Sequence, residues 1–124
     1  MRILVIEDDA MVRETLGMVL ESLEYQVDLA ETLEQALIFL KRSWPDALLL
    51  DLCLGAMPGE RVHSEILRAF GKAPPTLVLS ASHQLERRAK SLVGAHFLAK
   101  PYSLEDLTRS IEVVVAEALR RKAA

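Results

Sequence analysis

Ile3-Leu4-Val5-Ile6-Glu7-Asp8-Asp9 opens the chain with four apolar residues that run straight into three acids. Two later runs share that unbroken apolar character: Ala47-Leu48-Leu49-Leu50 before Asp51, and Thr76-Leu77-Val78-Leu79 before Ser80. A strand with one wet face alternates apolar and polar residues. A run without alternation fits a strand buried on both faces, as in a parallel sheet covered by helices. Tyr25 to Ala30 does alternate, as an edge strand does, and His96-Phe97-Leu98 is a short run between Gly94 and Pro101.

Helical spacing fills the intervals. Val12, Leu16, Val19, Leu20 and Leu23 recur on one face. Thr32 and Gln35 have capping-box spacing, with Ala36, Leu37 and Leu40 behind them. Val62, Ile66, Leu67 and Phe70 form a third stripe, closed by Gly71 and Pro74-Pro75. Leu85, Ala89 and Leu92 make a fourth, ended by Gly94. Ser103 reads as the N-cap of a fifth helix, with Glu105 and Asp106 in its positive first turn and Leu104, Leu107, Ile111, Val114, Val115 and Ala118 on one stripe. Strand–helix alternation repeated five times predicts an α/β fold. The expected form is a doubly wound five-stranded parallel sheet in the flavodoxin-like order 2-1-3-4-5, with five helices.

Composition narrows the function classes. A length of 124 residues bounds one domain, expected to occupy 1–124. A net charge of −3 lacks the basic footprint of a nucleic-acid binder. The basic clusters Arg87, Arg88, Lys90 and Arg120, Arg121, Lys122 are read as solvated helix faces. The single cysteine, Cys53, excludes an intrachain disulfide and a multi-cysteine zinc site, and favours a reducing compartment. The first apolar run is far too short for a signal peptide or membrane span. A soluble, cytoplasmic protein without membrane or direct nucleic-acid contact is expected.

In such a sheet the carboxyl ends of all strands share one edge, and ligands bind there. Glu7, Asp8 and Asp9 end the first strand, Asp51 the third, Ser80 the fourth and Lys100-Pro101 the fifth. Carboxylates so close need a counter-charge. Oxygen-only ligands that leave room for water suit Mg²⁺, and Lys100 adds a second positive charge. A carboxylate between metal and ammonium can attack phosphorus and form an acyl phosphate, while the Ser80 hydroxyl can donate to a phosphoryl oxygen.

These residues resemble the receiver domain of bacterial response regulators. The resemblance covers essentially the whole chain. It is carried by Glu7-Asp8-Asp9, by the nine residues from Asp51 to Gly59, by Ser80-Ala81, and by the nine residues from Gly94 to Tyr102, four pieces in order at four strand ends. It implies that Asp51 is the phosphoacceptor. Glu7 and Asp8 would be the acidic pair that holds Mg²⁺, with Asp8 the direct ligand and the backbone carbonyl of Cys53 completing the shell. Lys100 would contact the phosphoryl group through a cis peptide to Pro101, and Ser80 and Phe97 would be the switch pair. Several positions depart from the commonest pattern. Phe97 replaces tyrosine, Gly55 replaces a frequent proline, and His96 stands where a DNA-binding subclass often has an acid used in dimer contacts. Cys53 and Ser82 are small at positions that tune hydrolysis.

Each residue also has a plainer role. Asp9 is assigned to capping the first helix. Ser80 alone would be a turn hydroxyl and Lys100 alone a surface lysine; in company they are not. His63, His83 and His96 are expected at the surface or half-buried, and the four methionines as packing residues. Trp44 is expected half-buried and far from the site. Val113, opposite the apolar stripe, is expected to face solvent as a small contact patch for a partner or a second copy in a homodimer.

The function that follows is a phosphorylation-controlled switch of a two-component phosphorelay, a regulatory domain rather than an enzyme of turnover. Its phosphodonor would be a sensor histidine kinase, a phosphotransfer protein or a small molecule. Its output surface would be the fourth helix, fifth strand and fifth helix. No output domain is expected within this chain, which reads as a stand-alone receiver or a piece of a larger regulator or hybrid kinase. Three alternatives compete with it. A small aspartate-nucleophile phosphatase needs a second acid where Cys53 stands. An FMN binder needs a phosphate loop where three acids stand. The third is a degenerate, phosphate-independent receiver.

Overall fold

The computed structural model describes residues 1–52, 57–81, 92 and 94–123. Five parallel strands, β1 (Arg2–Ile6), β2 (Gln26–Ala30), β3 (Ala47–Asp51), β4 (Thr76–Ala81) and β5 (His96–Lys100), form one sheet in the order β2-β1-β3-β4-β5. Four helices are described: α1 (Ala10–Ser22), α2 (Leu33–Arg42), α3 (Gly59–Phe70) and the last helix, α4 (Leu104–Ala123). The helix expected over residues 85–92 lies outside the described residues, Leu92 apart.

The apolar runs do what two-sided burial requires. Alternate residues of each strand feed two cores. Ile3, Val5, Leu49, Leu77 and Leu79 pack with Leu16 and Leu20 of α1 and with Leu107, Ile111 and Val114 of α4. Leu4, Ile6, Leu48 and Leu50 pack on the other face with Ala36 and Leu40 of α2 and with Val62 and Ile66 of α3. Each such aliphatic side chain contributes roughly 1.5–3 kcal/mol on burial, so a register slip of one residue in β1 or β3 would exchange the two cores.

The caps are as the sequence indicates. Asp9 Oδ1 accepts from the Val12 amide at 3.0 Å, and Ser103 Oγ from the Asp106 amide at 3.0 Å. Thr32 Oγ1 accepts from the Gln35 amide, while Gln35 Oε1 reaches back to the amide of Glu31, one residue before the cap. Gly71 ends α3 at φ 73°, in the left-handed region that suits glycine.

Some expectations fail. Val12, Leu23, Leu67 and Leu104 were placed on buried stripes but are 37%, 37%, 42% and 63% exposed. Each lies in or beside the first or last turn of its helix. Met11 and Met18 are exposed as well, and at seven residues apart they share one face of α1, so they are surface rather than packing residues. His63 is buried in α3, and burial lowers its imidazole pKa. Val113 is exposed as expected. Trp44 is half-buried at the amino edge of the sheet, edge-on to Phe70 at 5.3 Å with Lys72 over its ring.

Candidate functional site at the carboxyl edge of the sheet

The register sets the site. Asp51 lies opposite Leu79, and Ala81 opposite Lys100. By strand alternation, Asp51 follows Leu49 and Lys100 follows Leu98 onto the face that packs α1 and α4. The two side chains meet there: Lys100 Nζ donates to Asp51 Oδ2 at 2.7 Å. Asp51 is 4% exposed and Glu7 2%. The Lys100–Pro101 peptide is cis, as the resemblance implied.

Glu7 is the anomaly. Its Oε1 accepts from the Asp9 amide at 3.1 Å, but among the described residues its buried Oε2 has no hydrogen-bond donor. What stands beside it is the Asp51 carboxyl, which offers a second set of acceptors unless a proton lies between them. Burial first, and sharing that proton with Asp51 second, push Glu7 up to about 8; the Asp9 amide and Lys100 pull the other way without prevailing. One ammonium thus serves two buried acids.

The donors fit a hard cation. They are all oxygens, and a positive ion beside Glu7 Oε2 would supply what the protein does not. Among the described residues no three His, Cys, Asp or Glu side chains close into a metal cage. Mg²⁺ needs none, since it keeps several waters and takes only one or two carboxylates. Asp8 is half-buried next to Glu7 in the chain. Cys53, whose carbonyl was assigned to the metal shell, lies outside the described residues, as do Gly55 and Ser82.

Ser80 is fully buried, and among the described residues its hydroxyl makes a long 3.5 Å contact with the Ala81 carbonyl. Alternation puts it with Val78 and Phe97 on the face opposite Asp51 and Lys100. Phe97 is half-buried against Leu52, Val78, Leu92 and Ala95. The expected switch pair therefore shares a face, while the Asp51–Lys100 pair occupies the other.

Three features escaped the sequence reading. Arg13 donates to the carbonyls of Glu7 (3.0 Å) and Asp8 (3.3 Å), fixing the acidic turn from the first turns of α1. Gly59 brings α3 against the end of β3, so close that a Cβ there would lie 2.7 Å from Leu52 Cα and 2.9 Å from the Asp51 carbonyl oxygen. Tyr102 is half-buried beside the site. Burial first raises its hydroxyl pKa, with Asp51 and Glu7 adding and Lys100 opposing. It also lines an apolar cleft of about 400 Å³ between α1 and α4, with Met11, Val12, Thr15 and Leu104 on its walls. No sequence signal marked the cleft, because helical periodicity assigns Val12 and Leu104 to the core.

Comparison with known proteins decides the family. Residues 3–112 match the response regulator receiver domain. The chain belongs to that family. The response regulator MprA of Mycobacterium leprae is 38% identical over 117 residues, covering 93% of this chain and 51% of the relative. MprA of Mycobacterium avium is 40% identical over 109 residues, covering 86% and 47%. The chain spans about half the length of these curated relatives. Among solved structures, a putative response regulator from Chloroflexus aurantiacus superposes with a TM-score of 0.80 at 29% identity, covering 93% of this chain and 97% of that one. A CheY-like receiver domain protein from Methanospirillum hungatei gives 0.82 at 24%, covering 97% of each, a likeness of fold. A two-component receiver domain with the sheet order 2-1-3-4-5 is thus established. No described helix is long and apolar enough to cross a membrane.

Proposed function

We propose that this receiver takes a phosphoryl group on Asp51 and acts as a phosphorylation-controlled interaction switch in the cytoplasm. The observation that carries the proposal is the Lys100–Asp51 contact of 2.7 Å beside a buried Glu7 whose Oε2 has no donor among the described residues. A bound Mg²⁺ would supply charge neutralisation, held by Glu7, Asp8, Asp51 and the backbone carbonyl of Cys53. An Asp51 carboxylate oxygen attacks phosphorus, the bond to the leaving group breaks, and an acyl phosphate remains. Lys100, now on Asp51 Oδ2, follows the negative charge onto a phosphoryl oxygen. Ser80 donates its hydroxyl to the phosphoryl group, and Phe97 repacks behind it, altering the surface around β5 and α4. The domain is a phosphoacceptor that assists its own phosphorylation and dephosphorylation, rather than an enzyme acting on a separate substrate.

The phosphodonor would be a sensor histidine kinase, a phosphotransfer protein or a small acyl phosphate. A protein donor must approach Asp51 from the face that carries it. The apolar cleft between α1 and α4, which meets the site through Tyr102, lies on that side. The test is incubation with acetyl phosphate and Mg²⁺ followed by intact mass. One added phosphoryl group is expected, absent with chelator and absent in Asp51→Asn. An unchanged mass for the wild-type chain would contradict the proposal and favour a phosphate-independent receiver.

A further inference from the structure

β1 ends just before the acids. Ile6 is the last residue of the strand in register with both neighbours, opposite Ala30 and Leu50. The Glu7 amide still donates to the Ala30 carbonyl at 3.0 Å. The Glu7 and Asp8 carbonyls instead accept from a side chain, Arg13 Nη1, at 3.0 Å and 3.3 Å. A main-chain carbonyl that leaves a sheet needs a donor, and here α1 supplies it. The same helix grips the turn elsewhere. The Arg13 amide donates to the Asp9 carbonyl at 2.9 Å, Asp9 Oδ1 caps the Val12 amide, and the Asp9 amide donates to Glu7 Oε1. We propose that Arg13 is a positioning residue for Mg²⁺: it fixes the main chain of Glu7 and Asp8, and so the direction from which their carboxylates meet the ion, without touching the ion itself. This inference rests on the reading of Glu7 and Asp8 as the acids that hold Mg²⁺.

A guanidinium this near a cation site acts in two opposite senses. As a charge it repels Mg²⁺, so its removal would tighten binding. As a clamp it holds two neighbouring acids in one arrangement, so its removal would weaken binding. The contacts favour the clamp. Both bonds end on main-chain oxygens of consecutive residues, and Glu7 is thereby bonded at its amide and at its carbonyl. With the backbone held at both polar groups, the buried Glu7 carboxylate is aimed by its side-chain torsions alone. Groups that orient a metal ligand are worth about 10–100-fold in affinity, and relieved repulsion subtracts from that, so a loss of about fivefold is expected on removing the guanidinium. Lysine keeps the charge but has a compact head rather than a planar fork, so it replaces the clamp only in part.

The experiment is calorimetric titration of Mg²⁺ at pH 7 into wild type, Arg13→Met, Arg13→Lys and Asp46→Asn, with urea unfolding in EDTA to verify that each protein folds. Asp46 lies at the far edge of the sheet, so its variant shows what lost stability alone does to the affinity. Arg13→Met should bind about fivefold more weakly than wild type, Arg13→Lys should recover part of the loss, and Asp46→Asn should bind as wild type does. Arg13→Met affinity within about twofold of wild type, or tighter, would overturn the proposal, and so would an equal weakening in Asp46→Asn. Should Arg13→Met fail to fold, Arg13→Gln, neutral and too short to reach the turn, takes its place with the same two outcomes. A wild-type protein that binds no Mg²⁺ sinks the metal reading and this inference together, whereas undiminished binding by the Arg13 variants sinks the inference alone.

Discussion

The two edges of the sheet handle buried charge in opposite ways. At the amino edge, Asp46 accepts from the Arg2 amide at 2.8 Å and pairs with Lys122 of α4, so one carboxylate ties the first strand and the last helix to β3. Burial alone would raise Asp46, but Lys122 and the Arg2 amide outweigh it and hold it below the ordinary carboxylate range. At the carboxyl edge, two acids that are almost wholly buried share one lysine, and the carboxyl of Glu7 is driven up instead. Both edges are built from the same strands. The Asp46 carboxylate, with its amide and its ammonium, ties the fold together; the crowded Glu7, whose Oε2 has no hydrogen-bond partner among the described residues, is the kind of perturbed acid that accompanies a functional site.

The largest effect that separates the edges is the pH dependence of stability without divalent cations. Glu7 titrates higher folded (about 8) than unfolded (4.5), so the folded state holds an extra proton between those values. Stability should therefore fall as pH rises through that window, on the order of 5 kcal/mol in all. Denaturant melts of wild type and Glu7→Gln in EDTA check it: the variant should show a flatter profile, and identical profiles would contradict the crowding of Glu7 against Asp51. Next comes Gly59→Ala. Its Cβ would press on the backbone of Leu52 and Asp51, and a cost of about 2–3 kcal/mol in urea unfolding is expected, with impaired phosphorylation. Asp46→Asn should cost about 1.5–2 kcal/mol by the same measurement, the loss of charge-assisted bonds in a partly buried place, and should leave Mg²⁺ binding intact. The smallest effect is optical. Trp44 packs with Phe70 and Lys72 at the amino edge, so its emission should barely change when Mg²⁺ is added, whereas a large quench would mean that the two edges communicate.

Much of this was legible in the chain. The three unbroken apolar runs gave β1, β3 and β4 because two-sided burial leaves no place for polar residues, and strand order followed from the alternation of elements. Asp51 and Lys100 could be brought together from 49 residues apart because each follows an apolar run that must end at the same edge. Three things could not be read. Periodicity does not say which turns of a helix are covered, so it assigns Val12 and Leu104 to the core when they form walls of the cleft. The imbalance at Glu7 depends on which oxygens face which donors, and sequence spacing carries no such information. The same holds for His96. Its identity suggested only that an acid was missing, while its pairing with Glu117 depends on how α4 lies against β5.

The proposed site is made by the crowded acids Glu7 and Asp51, and not by Asp46. Calorimetric titration of Mg²⁺ at pH 7 into wild type, Asp51→Asn and Asp46→Asn tests it most directly. Wild type and Asp46→Asn should bind one ion with similar affinity, and Asp51→Asn at least about tenfold more weakly, the worth of one lost charged ligand. Equal binding by wild type and Asp51→Asn, or a loss confined to Asp46→Asn, would contradict the account.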